Sequence, residues 1–135
     1  PPEERYRDLL SIIPQGAQVV WHKGVTDQKY AELLADNAVA ASASLDEGFG
    51  LPVVEAHTLG VPTVLTDMPV FHEVAGDGAL FFDAHDPKDF AEKIKMLDDT
   101  DLRVKLSKAG KKHVAMYSWD KSAESLLKSI KSLVK

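Results

Sequence analysis

The 135-residue chain contains no cysteine, so disulfides and cysteine-ligated metals are excluded. Its apolar runs are far too short to cross a bilayer, and no signal-peptide pattern opens it. These absences are compatible with the cytoplasm, which is the expected location. A basic excess is also lacking: the net charge is −5, whereas nucleic-acid binders ordinarily carry a basic balance or a basic face. The basic cluster of Lys108, Lys111, Lys112 and His113 reads as a solvated helix face. His22, His72, His85 and His113 show no metal-ligand spacing, and no serine stands in a nucleophile elbow. The chain starts at Pro1-Pro2 with no initiator Met, which fits a piece of something longer.

What is present is ordinary globular material. Hydrophobic residues make up 44% and charged residues 27%, enough to build one domain around one core over residues 1–135. Helical and strand-like patterns alternate. Residues 3–13 carry Tyr6, Leu9, Leu10 and Ile13 at helical spacing, and Pro14-Gln15-Gly16 stops them. Val19-Val20-Trp21 reads as a short strand. Thr26 caps a helix that carries Tyr30, Leu33 and Leu34 inward, and Ala38 to Ala43 reads as a buried strand.

A helix follows from Pro52 to Leu59, ending at Gly60, then a strand over Pro62 to Thr66 and a helical turn or two over Pro69 to Val74. Gly76-Asp77-Gly78 turns the chain into a fourth strand, Ala79 to Phe82. Three closing helices start at Asp86-Pro87 and at the caps Thr100 and Ser118. Asp98-Asp99-Thr100-Asp101 reads as helix-capping acid rather than a metal site. Strands separated by helices predict an α/β fold: a Rossmann-like parallel sheet with flanking helices and a C-terminal helical segment.

Glu47-Gly48-Phe49-Gly50-Leu51-Pro52-Val53-Val54-Glu55 is the segment that joins reactive groups to unusual backbone. It leaves the expected carboxyl end of a strand, where ligands of such sheets bind. Gly48 and Gly50 allow positive φ and close approach to the backbone. The helix opening at Pro52 presents free N–H groups and a partial positive charge, a seat for phosphate. With Pro52 as the first helical residue Glu55 is the fourth, within roughly 6 Å of the helix start. Both carboxylates then face one pocket, as acceptors for sugar or ribose hydroxyls. Ser44-Leu45-Asp46-Glu47 also matches a capping box, but Gly-Phe-Gly-Leu-Pro follows it rather than a helix.

Ser44 to Ala56 closely resembles the E-x7-E signature of retaining, nucleotide-sugar-dependent glycosyltransferases of the GT-B fold, specifically glycosyltransferase family 4 (glycosyl transferases group 1). Supporting matches run along the chain: Val19 to Gly24, Gly60-Val61-Pro62, His72-Glu73-Val74, Gly76 to Leu80, and Tyr117-Ser118-Trp119 at the last helix. The resemblance implies the donor-binding part of such an enzyme, moving a sugar from a nucleotide-diphospho-sugar to an acceptor. By resemblance Glu47 contacts the donor sugar as the catalytic-site acid. The amides of Gly48, Phe49, Gly50 and Leu51 hold sugar and diphosphate, and Glu55 binds the ribose hydroxyls. The family is metal-independent and uses no cofactor beyond its donor substrate. A peripheral membrane association of the full enzyme is compatible with the resemblance; a nucleic-acid partner and a transmembrane segment are not expected.

Two departures stand out. Ala43, His57 and Thr58 occupy places where the family often has Pro, Met and Ala; His57 is expected to be packed or surface-lying rather than catalytic. The chain also matches only the later part of a GT-B C-terminal domain. The acceptor-binding N-terminal domain and the Arg/Lys pair that neutralises the diphosphate have no counterpart in it. In the strand order 3-2-1-4-5-6 the unmatched first two strands lie between the third and fourth. The four expected strands would then leave a gap, filled by a second polypeptide fragment or closed by a different order. Such a chain is expected to be inactive alone. The alternatives are a non-catalytic flavodoxin-like module that binds a nucleotide or phosphate, and a sheet-completing subunit.

Overall fold

A computed structural model describes residues 11–133. The helix expected over residues 3–13 lies almost wholly outside them. The ordered elements are α1 (Asp27–Ala35), β1 (Ala40–Ser42), α2 (Leu51–Thr58), β2 (Thr63–Thr66), α3 (Pro69–Ala75), a 3-10 turn (Gly76–Gly78), β3 (Ala79–Phe82), α4 (Pro87–Met96), α5 (Thr100–Val114) and α6 (Trp119–Leu133).

The three strands form one parallel sheet in the order β1-β2-β3. Ala40, Ala41 and Ser42 pair with Thr63, Val64 and Leu65, and Thr63 to Thr66 pair with Ala79 to Phe82. Parallel neighbours need a crossover, which α2 supplies between β1 and β2 and α3 between β2 and β3. Every residue of the central strand β2 is buried, as expected of a parallel strand covered on both faces. Its side chains alternate between two cores. Leu65 joins Val53, Phe71, Val74, Ala75 and Ala79 under α2 and α3. Val64 joins Phe82, Leu97 and Leu106 under α4 and α5.

Three expectations need correction. Val19-Val20-Trp21 is not a strand: the segment is irregular, with Val19 49%, Val20 64% and Trp21 53% exposed. An apolar triplet is a strand only where a neighbour offers backbone partners, and β1 pairs on its β2 side alone among the described residues. With that strand goes the four-stranded sheet: among the described residues three strands pair, β1, β2 and β3, and the unmatched strands would lie beyond the outer edge of β1. The third correction concerns a helix cap. Asp99, not Thr100, caps α5: its Oδ1 accepts the N–H groups of Asp101 (2.8 Å) and Leu102 (3.3 Å), so these acids finish a helix end. Thr26 and Ser118 cap as expected, accepting from Lys29 N at 3.2 Å and Lys121 N at 3.1 Å.

No described helix is long and apolar enough to cross a membrane. α6 carries Trp119, Leu126, Leu127, Ile130 and Leu133 on one stripe, and all five are exposed.

Candidate functional site

Residues 43–50 connect the carboxyl end of β1 to the start of α2. Thr66 Oγ1 donates to the Ser42 carbonyl at 3.4 Å, tying the ends of β2 and β1 together where the loop departs. The Ser44 hydroxyl donates to Glu47 Oε1 at 2.8 Å, and both side chains are half-buried. No helix follows Glu47, so this is a loop bond and not a capping box. It fixes the carboxylate at the base of the loop.

Gly50 is the N-cap of α2, with φ 90°. Two reasons require glycine there. The left-handed backbone disfavours a side chain, and a Cβ would stand 3.1 Å from Phe71 Cε1. Buried Phe71 thus supports the loop from beneath. Leu51 opens the helix and Pro52 is its second residue, one position earlier than the sequence suggests. Glu55 is then the fifth helical residue, and the one-turn distance to the helix start still holds. The loop runs directly into the N-terminus of α2, the kind of position from which backbone amides bind anions.

Glu55 is exposed and faces Tyr30 on α1. Burial, the Glu55 charge and a hydrogen bond to Glu55 together raise the Tyr30 hydroxyl above its ordinary range. Sequence reasoning assigns Tyr30 to the inward stripe of α1 and misses this contact. Nothing in the spacing pairs it with Glu55, because the two helices meet only in the folded chain. The phenol is an apolar body with a polar tip, which suits the rim of a site.

His57, two residues on, points the other way. Its side chain is fully buried, and Nε2 sits 3.0 Å from Thr63 Oγ1. Gly110 lies against the ring, where a Cβ would come within 2.7 Å of it. Burial lowers its pKa to about 4, so the ring is neutral and packed. His72 is exposed, stacked on Phe81 with centroids 3.8 Å apart, and its Nε2 meets Asp67 Oδ1 at 2.7 Å. Asp67, with Leu45, Thr66, Asp83 and His85, lines a cleft of about 420 Å³ beyond the carboxyl ends of β2 and β3, beside the loop. The Glu73 side chain is exposed.

Glu47, Gly48, Phe49 and Gly50 lie in the loop that enters α2, and Leu51 and Glu55 lie among the helix's first five residues. The segment has a carboxylate toward each end and backbone amides between them, a set that suits a ligand with hydroxyls flanking an anion.

Comparison with known proteins gives the same region a family. The model of the family "Glycosyl transferases group 1" matches residues 1–113. The chain is 32% identical over 113 residues to the serotype-specific mannosyltransferase WbdA of Escherichia coli, covering 84% of this chain and 14% of that protein. It is 36% identical over 99 residues to the D-inositol 3-phosphate glycosyltransferase of Corynebacterium jeikeium (strain K411), covering 70% of this chain and 23% of that protein. Among solved structures, the sucrose-phosphate synthase of Thermosynechococcus elongatus superposes with a TM-score of 0.85 at 21% identity, over 97% of this chain and 34% of that one. That likeness shows the fold. The chain spans well under half the length of each of these relatives.

Proposed function

The chain belongs to the glycosyl transferases group 1 family, and from that premise we propose that it is the donor-binding part of a retaining, family 4 glycosyltransferase. Residues 1–135 are the later part of a GT-B C-terminal domain. The reaction is transfer of a sugar from a nucleotide-diphospho-sugar to an acceptor, metal-independent and without a cofactor, in the cytoplasm. Glu47 lies against the donor sugar. The backbone of Gly48 to Leu51 holds the sugar and diphosphate, and Glu55 accepts from the ribose hydroxyls. Glu47 acts by position and charge rather than as a nucleophile, stabilising the positive character that develops at the sugar. In front-face attack the leaving phosphate helps to take the acceptor's proton. The acceptor-binding N-terminal domain and the cations that neutralise the diphosphate come from outside this chain, in the longer enzyme or a second fragment.

The observation that carries this reading is the loop itself. Glu47 is held by Ser44 at one end, Gly50 is left-handed over Phe71, and the backbone between them feeds straight into a helix N-terminus with Glu55 one turn on. Calorimetry of the chain with UDP, GDP and ADP tests it: one of them binds, and heat from none of the three removes the donor site. Turnover of a nucleotide-sugar by the purified chain alone would show that no second part is needed.

A further inference from the structure

Two segments far apart in sequence meet at one backbone carbonyl. α3 ends at Ala75, and the last carbonyls of a helix have no partner within it. Glu73's carbonyl accepts from His113 Nε2 at 2.8 Å and from the Tyr117 hydroxyl at 3.2 Å. Tyr117 is thereby tethered at its polar tip. Its ring meets Phe49 edge to face, with centroids 5.3 Å apart and planes at 88°, a favourable geometry for aromatic pairs. The His113 ring braces Tyr117, with centroids 6.1 Å apart.

Phe49 stands between Gly48 and Gly50, which have no side chains to hold the loop. Beside it lies an apolar cleft of about 590 Å³, lined by Leu51, Val54, Tyr117 and Trp119 among others. Phe49 therefore has room to swing away, and Tyr117 is the ring that holds it in place. We propose that Tyr117 is a positioning residue of the donor site: through Phe49 it fixes the Gly48–Leu51 backbone in the form that receives a diphosphate, and it ties that backbone to the end of α3. The inference rests on the donor-site reading given above.

The test compares a nucleoside diphosphate with its monophosphate, using whichever of UDP, GDP or ADP binds the chain. Tyr117→Leu keeps apolar volume but removes both the ring edge and the tether. It lowers diphosphate affinity about tenfold, the size of one aromatic pair, and leaves monophosphate affinity within about twofold. Tyr117→Phe keeps the ring edge and recovers most of the loss. Phe49→Ala loses as much as Tyr117→Leu, and the double variant loses no more than either, because both act through one contact. In the ligand-free protein, NMR order parameters of Gly48 to Leu51 fall in Tyr117→Leu. Unchanged diphosphate affinity in Tyr117→Leu, parallel loss of both nucleotides, or additive losses in the double variant each overturn the proposal. If the unaltered chain binds no nucleotide, the donor-site reading itself fails. If it binds and Glu55→Ala weakens binding while Tyr117→Leu does not, only the positioning role fails.

Discussion

Glu55 and His57 stand two positions apart on α2, yet Glu55 is exposed at the rim of a candidate site and His57 is fully buried. A helix turns about 200° over two residues, so a two-residue offset sends side chains to opposite faces. One face looks toward Tyr30 and the loop; the other is closed by Thr63, Gly78 and Gly110. Two ionisable groups in one short segment thus have unrelated roles. Glu55 accepts from Tyr30 and is otherwise exposed to solvent. His57 has Nε2 at Thr63, and a backbone hydrogen bond at Gly78 offsets part of what burial does to its pKa. An ionisable residue near a motif is evidence of function only once the face it occupies is known.

The largest expected effect lies on the buried face. Gly110→Ala drives a methyl to within 2.7 Å of the His57 ring and costs about 3 kcal/mol through overpacking, read from urea melts. A loss under about 0.5 kcal/mol would show that the ring has room to move. On the exposed face, Glu55→Ala weakens nucleotide binding by about 1–3 kcal/mol by leaving ribose hydroxyls without an acceptor. Its melting midpoint stays unchanged. Calorimetry and a thermal melt on one sample separate the two effects, and unchanged affinity removes Glu55 from the site.

The pH dependence separates the two faces again. The folded pKa of His57, about 4, lies below its ordinary 6.5. Below pH 6.5 the unfolded chain takes up a proton that the folded one refuses. The stability from neutral His57 is therefore fully present above pH 6.5 and lost as pH falls toward 4. The slope from this group is at most about 1.4 kcal/mol per pH unit. His57→Met, which places the residue common in the family at this position, flattens the stability profile between pH 6.5 and 4. An equal slope in wild type and variant would assign the acid sensitivity to other groups. The smallest effect belongs to Ser44→Ala. It frees Glu47 from its 2.8 Å bond and weakens nucleotide-sugar binding by about 0.5–1 kcal/mol, the net worth of one hydrogen bond. Binding of the sugar-free nucleoside diphosphate does not change. Equal loss for both ligands would place Glu47 away from the sugar.

Much of the architecture follows from local pattern. The alternation of β1, β2 and β3 with their crossover helices is read from apolar runs and from stop signals such as Gly60 and Gly76-Asp77-Gly78, because those cues act within a few residues. Thr26 and Ser118 cap their helices for the same local reason. Val19-Val20-Trp21 shows the limit: strand formation needs a neighbour that composition does not reveal. Gly110 in the middle of α5 shows it again. A glycine inside a helix reads as a local weakness, but its purpose is to let the His57 ring approach, a contact across 53 positions of sequence.

The sequence alone determined that a glycine-flanked loop with an acid at each end runs into a helix, because glycine, proline and carboxylate act through their own backbone and charge. Only the tertiary structure decided which groups surround that loop. Tyr30 comes to Glu55, Phe71 lies beneath Gly50, and Tyr117 comes to Phe49 while holding the end of α3. Those contacts depend on how helices pack over a sheet, and packing is set by the shape of the whole core rather than by any segment within it.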